Sequence, residues 1–214
     1  MQQPKVIFLD AVGTLFGVKG SVGEVYSEIA NKFEVKVDPS LLDQAFYHSF
    51  KQSKRMAFPG VELQEIPAKE FEWWKELAIK TFQTVDFFYQ FSDFDSFFDA
   101  LYQHFATAEP WFIYPDVISA LEYWHKQGIE LGILSNFDTR LYPVLEALNL
   151  AEFFTSVTIS TEVGAAKPET EIFAKGLQKH NCPSSLAWHI GDSFKEDYQG
   201  AKNVGLRAIW LKRS

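Results

Sequence analysis

The sequence predicts an α/β fold: a three-layer, doubly wound parallel sheet, Rossmann-like, with an inserted α-helical domain. Three observations predict it. Short uninterrupted apolar runs recur along the chain, amphipathic segments with recognisable starts lie between them, and one long aromatic-rich stretch interrupts the alternation.

The first run, Val6-Ile7-Phe8-Leu9, lacks the polar alternation of a half-solvated strand and suits a central parallel strand covered on both faces. Comparable runs at Glu130 to Leu134, Ser156 to Ile159, Ala187 to Ile190 and Arg207 to Trp210 bring the strands to five. Between them Asp116 stands to cap a helix from Val117 to Lys126, Asp138 precedes one from Thr139 to Leu148, and Pro168 opens one from Glu169 to Lys179. A last helix runs from Phe194 to Asn203 and stops before Gly205. Elements alternating at this spacing imply right-handed βαβ units.

Residues 18–112 break the alternation and contain no convincing buried-strand run. Helices are expected at Val22 to Phe33, Pro39 to Ser53, Ala68 to Thr84 and Asp93 to Thr107, with the loop Met56 to Gly60 in the middle. The expected division is therefore a core of residues 1–17 and 113–214 and a helical domain of residues 18–112. The pairs Trp73-Trp74, Phe87-Phe88 and Phe97-Phe98 are read as the core of that domain, although adjacent helical residues point apart and one of each pair should face elsewhere.

Composition narrows the partners. A chain of 214 residues builds its core without staples, and the single cysteine, Cys182, forms no intramolecular bridge. Met1 to Lys5 has no basic segment followed by a long apolar run, and no window reaches the roughly 18 apolar residues of a membrane span, so a cytoplasmic, non-membrane protein is expected. A net charge of −8 argues against a nucleic-acid partner, while a local basic pocket still suits a small anionic substrate. Composition does not separate a monomer from a homodimer.

Ligands of open α/β sheets gather outside the carboxyl ends of the strands. The residues there form a set: Asp10-Ala11-Val12-Gly13-Thr14-Leu15 after the first strand, Ser135-Asn136 after the second, Lys167-Pro168 near the third, and Gly191-Asp192-Ser193 with Asp197 after the fourth. Asp10 alone could be a helix cap. A carboxylate nucleophile acting on an anionic substrate needs a cation beside it and donors for the substrate's oxygens, and each appears once here.

This order and spacing resembles the haloacid dehalogenase superfamily across the whole core, each of the four segments matching one family motif. The insertion is similar to the helical cap that closes over the pocket in many members. The resemblance implies strand order 5-4-1-2-3 and hydrolysis through a covalent intermediate on Asp10. It further implies that Ser135 and Asn136 hold substrate oxygens, that Thr14 supports the nucleophile loop, and that Lys167 neutralises charge shared by Asp10 and the substrate. A Mg²⁺ ion would be held by Asp10, the Val12 backbone carbonyl and Asp192, with Asp197 behind them; Asp197 equally suits the first turn of a helix as a dipole partner.

Family phosphatases usually carry a second aspartate two residues after the nucleophile, as general acid and base; here Val12 stands there. The leading expectation is a Mg²⁺-dependent phosphohydrolase whose substrate brings a good leaving group, such as an acyl or aryl phosphate. The second is a 2-haloacid dehalogenase-like hydrolase, since halide leaves without a proton. The third is a binding or regulatory member with weak turnover. Against dehalogenation stand Asp192 and the late position of Arg55 in the insertion. Lys54 and Arg55 are read as surface residues beside the Met56 to Gly60 loop, Arg140 and Lys195 as nearer the rim, and His125, His180 and His189 as structural.

Overall fold

The computed structural model describes residues 3–213. Strand β1 (Val6–Leu9) is buried throughout. Its alternation explains why the run is wholly apolar: Ile7 and Leu9 join one hydrophobic cluster and Val6 and Phe8 another, on opposite faces of the sheet. The turn after it hangs three amides, those of Thr14, Leu15 and Phe16, on the Ala11 carbonyl. Gly13 makes this turn at φ +83°.

A short strand β2 (Phe16–Val18) leads into four helices. Helix α1 (Val22–Lys32) is capped by Ser21, which accepts from the Glu24 amide, and α2 (Pro39–Gln52) by Asp38, with Pro39 in its first turn. Helix α3 (Ile66–Thr84) begins two residues before the expected Ala68, and α4 (Phe94–His104) is capped by Asp93 through the Ser96 amide. These helices share a core that includes Ile29, Leu42, Leu77, Phe82 and Phe97. Burying each such side chain contributes about 1.5–3 kcal/mol. The chain returns through β3 (Trp111–Ile113), antiparallel to β2 with Val18 opposite Trp111. Both strands straddle the ends of residues 18–112. Three-residue strands are too short to show a period, and they bring both connections to the insertion side by side.

Helix α5 (Val117–Lys126) follows, but Asp116 does not cap it: its own backbone is helical, and its carboxylate binds Arg213 at 2.5 Å. Strand β4 (Glu130–Ser135) runs one residue past the expected run. Helix α6 (Leu141–Ala147) starts later than expected because Asp138 folds its carboxylate back onto the Arg140 amide (2.9 Å) and guanidinium. Then come β5 (Ser156–Ile159), α7 (Ser160–Val163), α8 (Thr170–Lys179), which starts one residue after Glu169, β6 (Ala187–Gly191), and a π-helical turn, Phe194–Gln199, continuing as α9 (Gly200–Asn203) before β7 (Arg207–Trp210).

All five strands of the main sheet are parallel, in the order β5-β4-β1-β6-β7. Counted by position among these five and read from the β7 edge, that is the expected 5-4-1-2-3. The chain leaves β1 for neighbours on both sides, so the carboxyl end of β1 is the switch point where a ligand crevice opens.

Candidate active site

Asp10 stands at that switch point, its amide bonded to the Ile190 carbonyl of β6 (2.9 Å). Lys167, 1% exposed, reaches it from the segment between α7 and α8. Its ammonium donates to Asp10 Oδ1 (2.7 Å), Asp197 Oδ1 (2.6 Å) and the Leu134 carbonyl (2.8 Å), which uses all three of its protons. Burial pulls the Lys167 pKa down, but the two carboxylates outweigh it and hold the amine above its ordinary range. Asp197 is the reverse case. Burial opposes its charge, yet Lys167 and His189 hold its carboxyl well below the usual range.

Asp192 lies on the open side of this group. Asp10, Asp192 and Asp197 each offer an oxygen within 4.8 Å of the others. Burial, then the charges of Asp10 and Asp197, push the Asp192 carboxyl up to about 6. Asp10 is also raised, by burial first and Asp197 in addition, against the pull of Lys167. A Cβ on Gly13 would lie 2.4 Å from Asp192 Oδ2, so only glycine lets this carboxylate rest against the turn after β1.

The other residues of the set divide. Ser135 is 3% exposed, lines the cavity beside Asp10, and its hydroxyl has no partner among the described residues. Asn136 is occupied: it accepts from the Lys167 amide (2.7 Å) and donates to the Lys167 carbonyl (3.1 Å) and to Glu196 (3.2 Å). It positions Lys167. The Thr14 hydroxyl is buried without a partner, and its residue serves the turn through its backbone, the carbonyl accepting from Arg213 at 2.6 Å. Val12 lines the cavity next to Asp10.

Further residues support the site. His189, expected to be structural, is buried with its Nε2 2.8 Å from Asp197 Oδ1. Burial lowers its pKa, and its Nδ1 has no partner among the described residues. Its alternation with Ile190 along β6 was the available signal. Asp138 accepts from Trp74 Nε1 (2.5 Å) as well as from Arg140, and the fully buried Glu70 of α3 accepts from the Thr139 amide (3.0 Å), so the loop after β4 is bound to the insertion. Met56 also docks: its carbonyl accepts from Ser160 (2.7 Å), beside the end of β5.

These residues close a cavity of about 700 Å³ between the sheet's carboxyl edge and the insertion. Lys54, Arg55 and Arg140 line it, and Arg55 pairs with Glu169 (3.3 Å). Of the aromatic pairs, Phe97 is wholly core, while Trp73, Trp74 and Phe98 reach the cavity wall.

A parallel-sheet protein with an aspartate at the switch point, a buried lysine against it and a further carboxylate beside it has the site layout of an aspartate-nucleophile hydrolase. The haloacid dehalogenase-like hydrolase family model matches residues 4–205, and the chain belongs to that family. It is 31% identical over 212 residues to the mouse (Mus musculus) haloacid dehalogenase-like hydrolase domain-containing protein 3, covering 99% of this chain and 83% of that one. Among solved structures it resembles a HAD phosphatase from Thermococcus onnurineus (TM-score 0.64, 23% identity, 98% of this chain and 87% of that one). It also resembles an L-2-haloacid dehalogenase from Xanthobacter autotrophicus (TM-score 0.70, 19% identity, 99% and 79%). The fold accommodates both chemistries, so the site residues must decide between them.

Proposed function

We propose that this chain is a Mg²⁺-dependent phosphohydrolase that forms an aspartyl-phosphate on Asp10 and acts on small phosphorylated molecules whose leaving group departs unaided. The observation that carries this reading is Asp192: a carboxylate seated against the Gly13 turn, beside Asp10, bonded to no other residue among those described. Three hard oxygen donors facing one ammonium suit a divalent cation. Asp10, Asp192 and the Val12 carbonyl would hold Mg²⁺, and Asp197, whose oxygens are taken by Lys167, His189 and the Ser193 amide, would support them from behind. When bound, the ion neutralises charge on the transferring phosphoryl group.

The remaining steps belong to the chain. The Asp10 oxygen not engaged by Lys167 attacks phosphorus, the bond to the leaving oxygen breaks, and the electron pair departs on that oxygen. Water then cleaves the aspartyl-phosphate, restoring Asp10 and releasing phosphate. Lys167 keeps Asp10 ionised and aimed, and Ser135 donates to a substrate oxygen. Val12 offers no proton. Acid-base assistance is worth about a hundred- to ten-thousand-fold, so aryl and acyl phosphates are favoured over alkyl esters.

One observation favours dehalogenation as a second reading: Val12 presents an apolar wall where phosphatases place an acid. Incubation with an aryl phosphate, acetyl phosphate and 2-chloropropionate, each with Mg²⁺ or EDTA, separates the readings. Phosphate release that EDTA stops is expected. Metal-independent chloride release would replace the proposal, and no product from any substrate would favour a binding or regulatory protein.

A further inference from the structure

We propose that the cavity is a seat for an aromatic ring, and that the preferred substrate is the phosphate monoester of a phenol whose ring bears a hydrogen-bond acceptor remote from the phosphate. This rests on the phosphohydrolase reading for the chemistry at Asp10 and goes beyond it by choosing among leaving groups. An acetyl phosphate would leave most of about 700 Å³ unfilled, a volume typical of pockets that enclose a larger ligand.

The walls are aromatic. Phe50 and Trp74 lie stacked at 29° with centroids 6.3 Å apart, and Trp73 meets Trp74 edge-on at 4.9 Å. Tyr26, Tyr102 and Trp111 also line the cavity. Rings prefer such offset and edge-on partners, so a planar ester gains more here than an alkyl chain of the same area. Phe50 is 45% exposed although it sits in this cluster, which a ring in the cavity would cover.

The acceptor follows from unpartnered donors in the same walls. Arg140 lies 3.9 Å over the Tyr102 ring, and its Nε and Nη2 donate to Asp138 and its Nη1 to the Tyr102 carbonyl (3.3 Å). That leaves one N–H on each terminal nitrogen without a partner among the described residues. The hydroxyls of Tyr26, 3% exposed, and Tyr102 have none either. Arg140, Tyr26 and Tyr102 all line the cavity, so a carbonyl or hydroxyl oxygen on the ring can accept from them. Independently, Val12 requires a leaving group that departs without a proton, and a phenolate does so. Leaving-group chemistry and wall chemistry point to the same ester.

The test separates the ring seat from the reaction by using phosphonates, which cannot be hydrolysed. With the full chain in Mg²⁺, naphthylmethylphosphonate should bind at least tenfold tighter than methylphosphonate by calorimetry and quench tryptophan fluorescence. Trp74→Leu should cut that ratio below threefold. Phe50→Leu, which removes no hydrogen bond, should lower it in the same direction and serves if the first variant does not fold. A carbonyl on the far ring edge should tighten binding at least threefold, and Tyr26→Phe should erase that gain. Equal affinities, no binding of the aryl compound, a ratio unmoved by both substitutions, or no gain from the carbonyl would overturn the proposal. If neither aryl nor acetyl phosphate is hydrolysed while the phosphonate ratio holds, the phosphohydrolase reading falls and the ring seat stands.

Discussion

Replacing Asp192 by asparagine should stabilise the metal-free chain while abolishing its response to Mg²⁺, two effects of opposite sign from one substitution. In the absence of metal, three carboxylates lie within 4.8 Å of one another, and Lys167 is bonded to Asp10 and Asp197 but not to Asp192. Two like charges at that separation repel by about 3 kcal/mol at an effective dielectric of 20. The rise of the Asp192 carboxyl from 3.8 to about 6 has the same sign. Because Asp192 faces solvent, screening and the nearby ammonium reduce the repulsion to about 1 kcal/mol. Asp192→Asn should thus raise the Tm in EDTA by about 2–4 °C at pH 8. A carboxyl whose folded pKa is raised stabilises only while protonated, so the gain should be absent below about pH 4, grow between 4 and 6, and be constant above. With Mg²⁺ at a hundred times its Kd, the unmodified chain should gain about 2.7 kcal/mol and the variant almost nothing. Scanning calorimetry in EDTA and in Mg²⁺ reads both. A variant that is less stable in EDTA, or that gains as much from Mg²⁺ as the unmodified chain, would refute the placement of a cation between Asp10 and Asp192.

Other substitutions address single roles. Val12→Asp should raise hydrolysis of an alkyl phosphate by about a hundredfold or more, read as phosphate release; no gain would move the limitation to substrate fit. Ser135→Ala should lower kcat by about a hundredfold with little change in Tm, because the hydroxyl has no partner to lose among the described residues; a large fall in Tm would contradict that. Asp197→Ala deprives Lys167, His189 and the Ser193 amide of their acceptor and should cost about 3–5 kcal/mol by urea denaturation. Since Lys167 and His189 hold Asp197 below the usual carboxylate range, that difference should be full at neutral pH and shrink as pH falls below about 4.

The sheet was legible because its central strands β1, β4 and β6 are buried on both faces, so Val6-Ile7-Phe8-Leu9 and its inner counterparts read as apolar runs. Helix caps were less so. Asp93 and Asp38 cap helices where no cap was expected, while Asp116 and Asp138 answer to Arg213 and Arg140, one distant in sequence and one two residues on. The positions of Asp10, Lys167 and Asp192 at the carboxyl edge followed from spacing. The part played by His189 did not, because a histidine in a strand looks the same whether it packs or bonds to a carboxylate eight residues later. The cavity wall was hidden for another reason: Trp73 and Trp74 satisfy the pattern of a core helix, and only the tertiary bonds to the Lys54 carbonyl and to Asp138 turn them toward the site.

The use of Lys167 also bears on the proposed cation. Its three protons go to Asp10, Asp197 and the Leu134 carbonyl, and Asn136 fixes its backbone from both sides. A lysine so engaged cannot grip a phosphate oxygen without releasing one of those bonds in a buried site, so its charge acts on Asp10 rather than on the substrate. Asn136 is occupied in the same way. Among the residues at the floor of the cavity, that leaves the Ser135 hydroxyl as the unengaged donor against an incoming dianion, in the presence of three carboxylates that repel it. A cation at Asp192 removes that repulsion, and a leaving group that needs no proton tolerates Val12. The two requirements are independent, and a metal-dependent aryl phosphatase meets both.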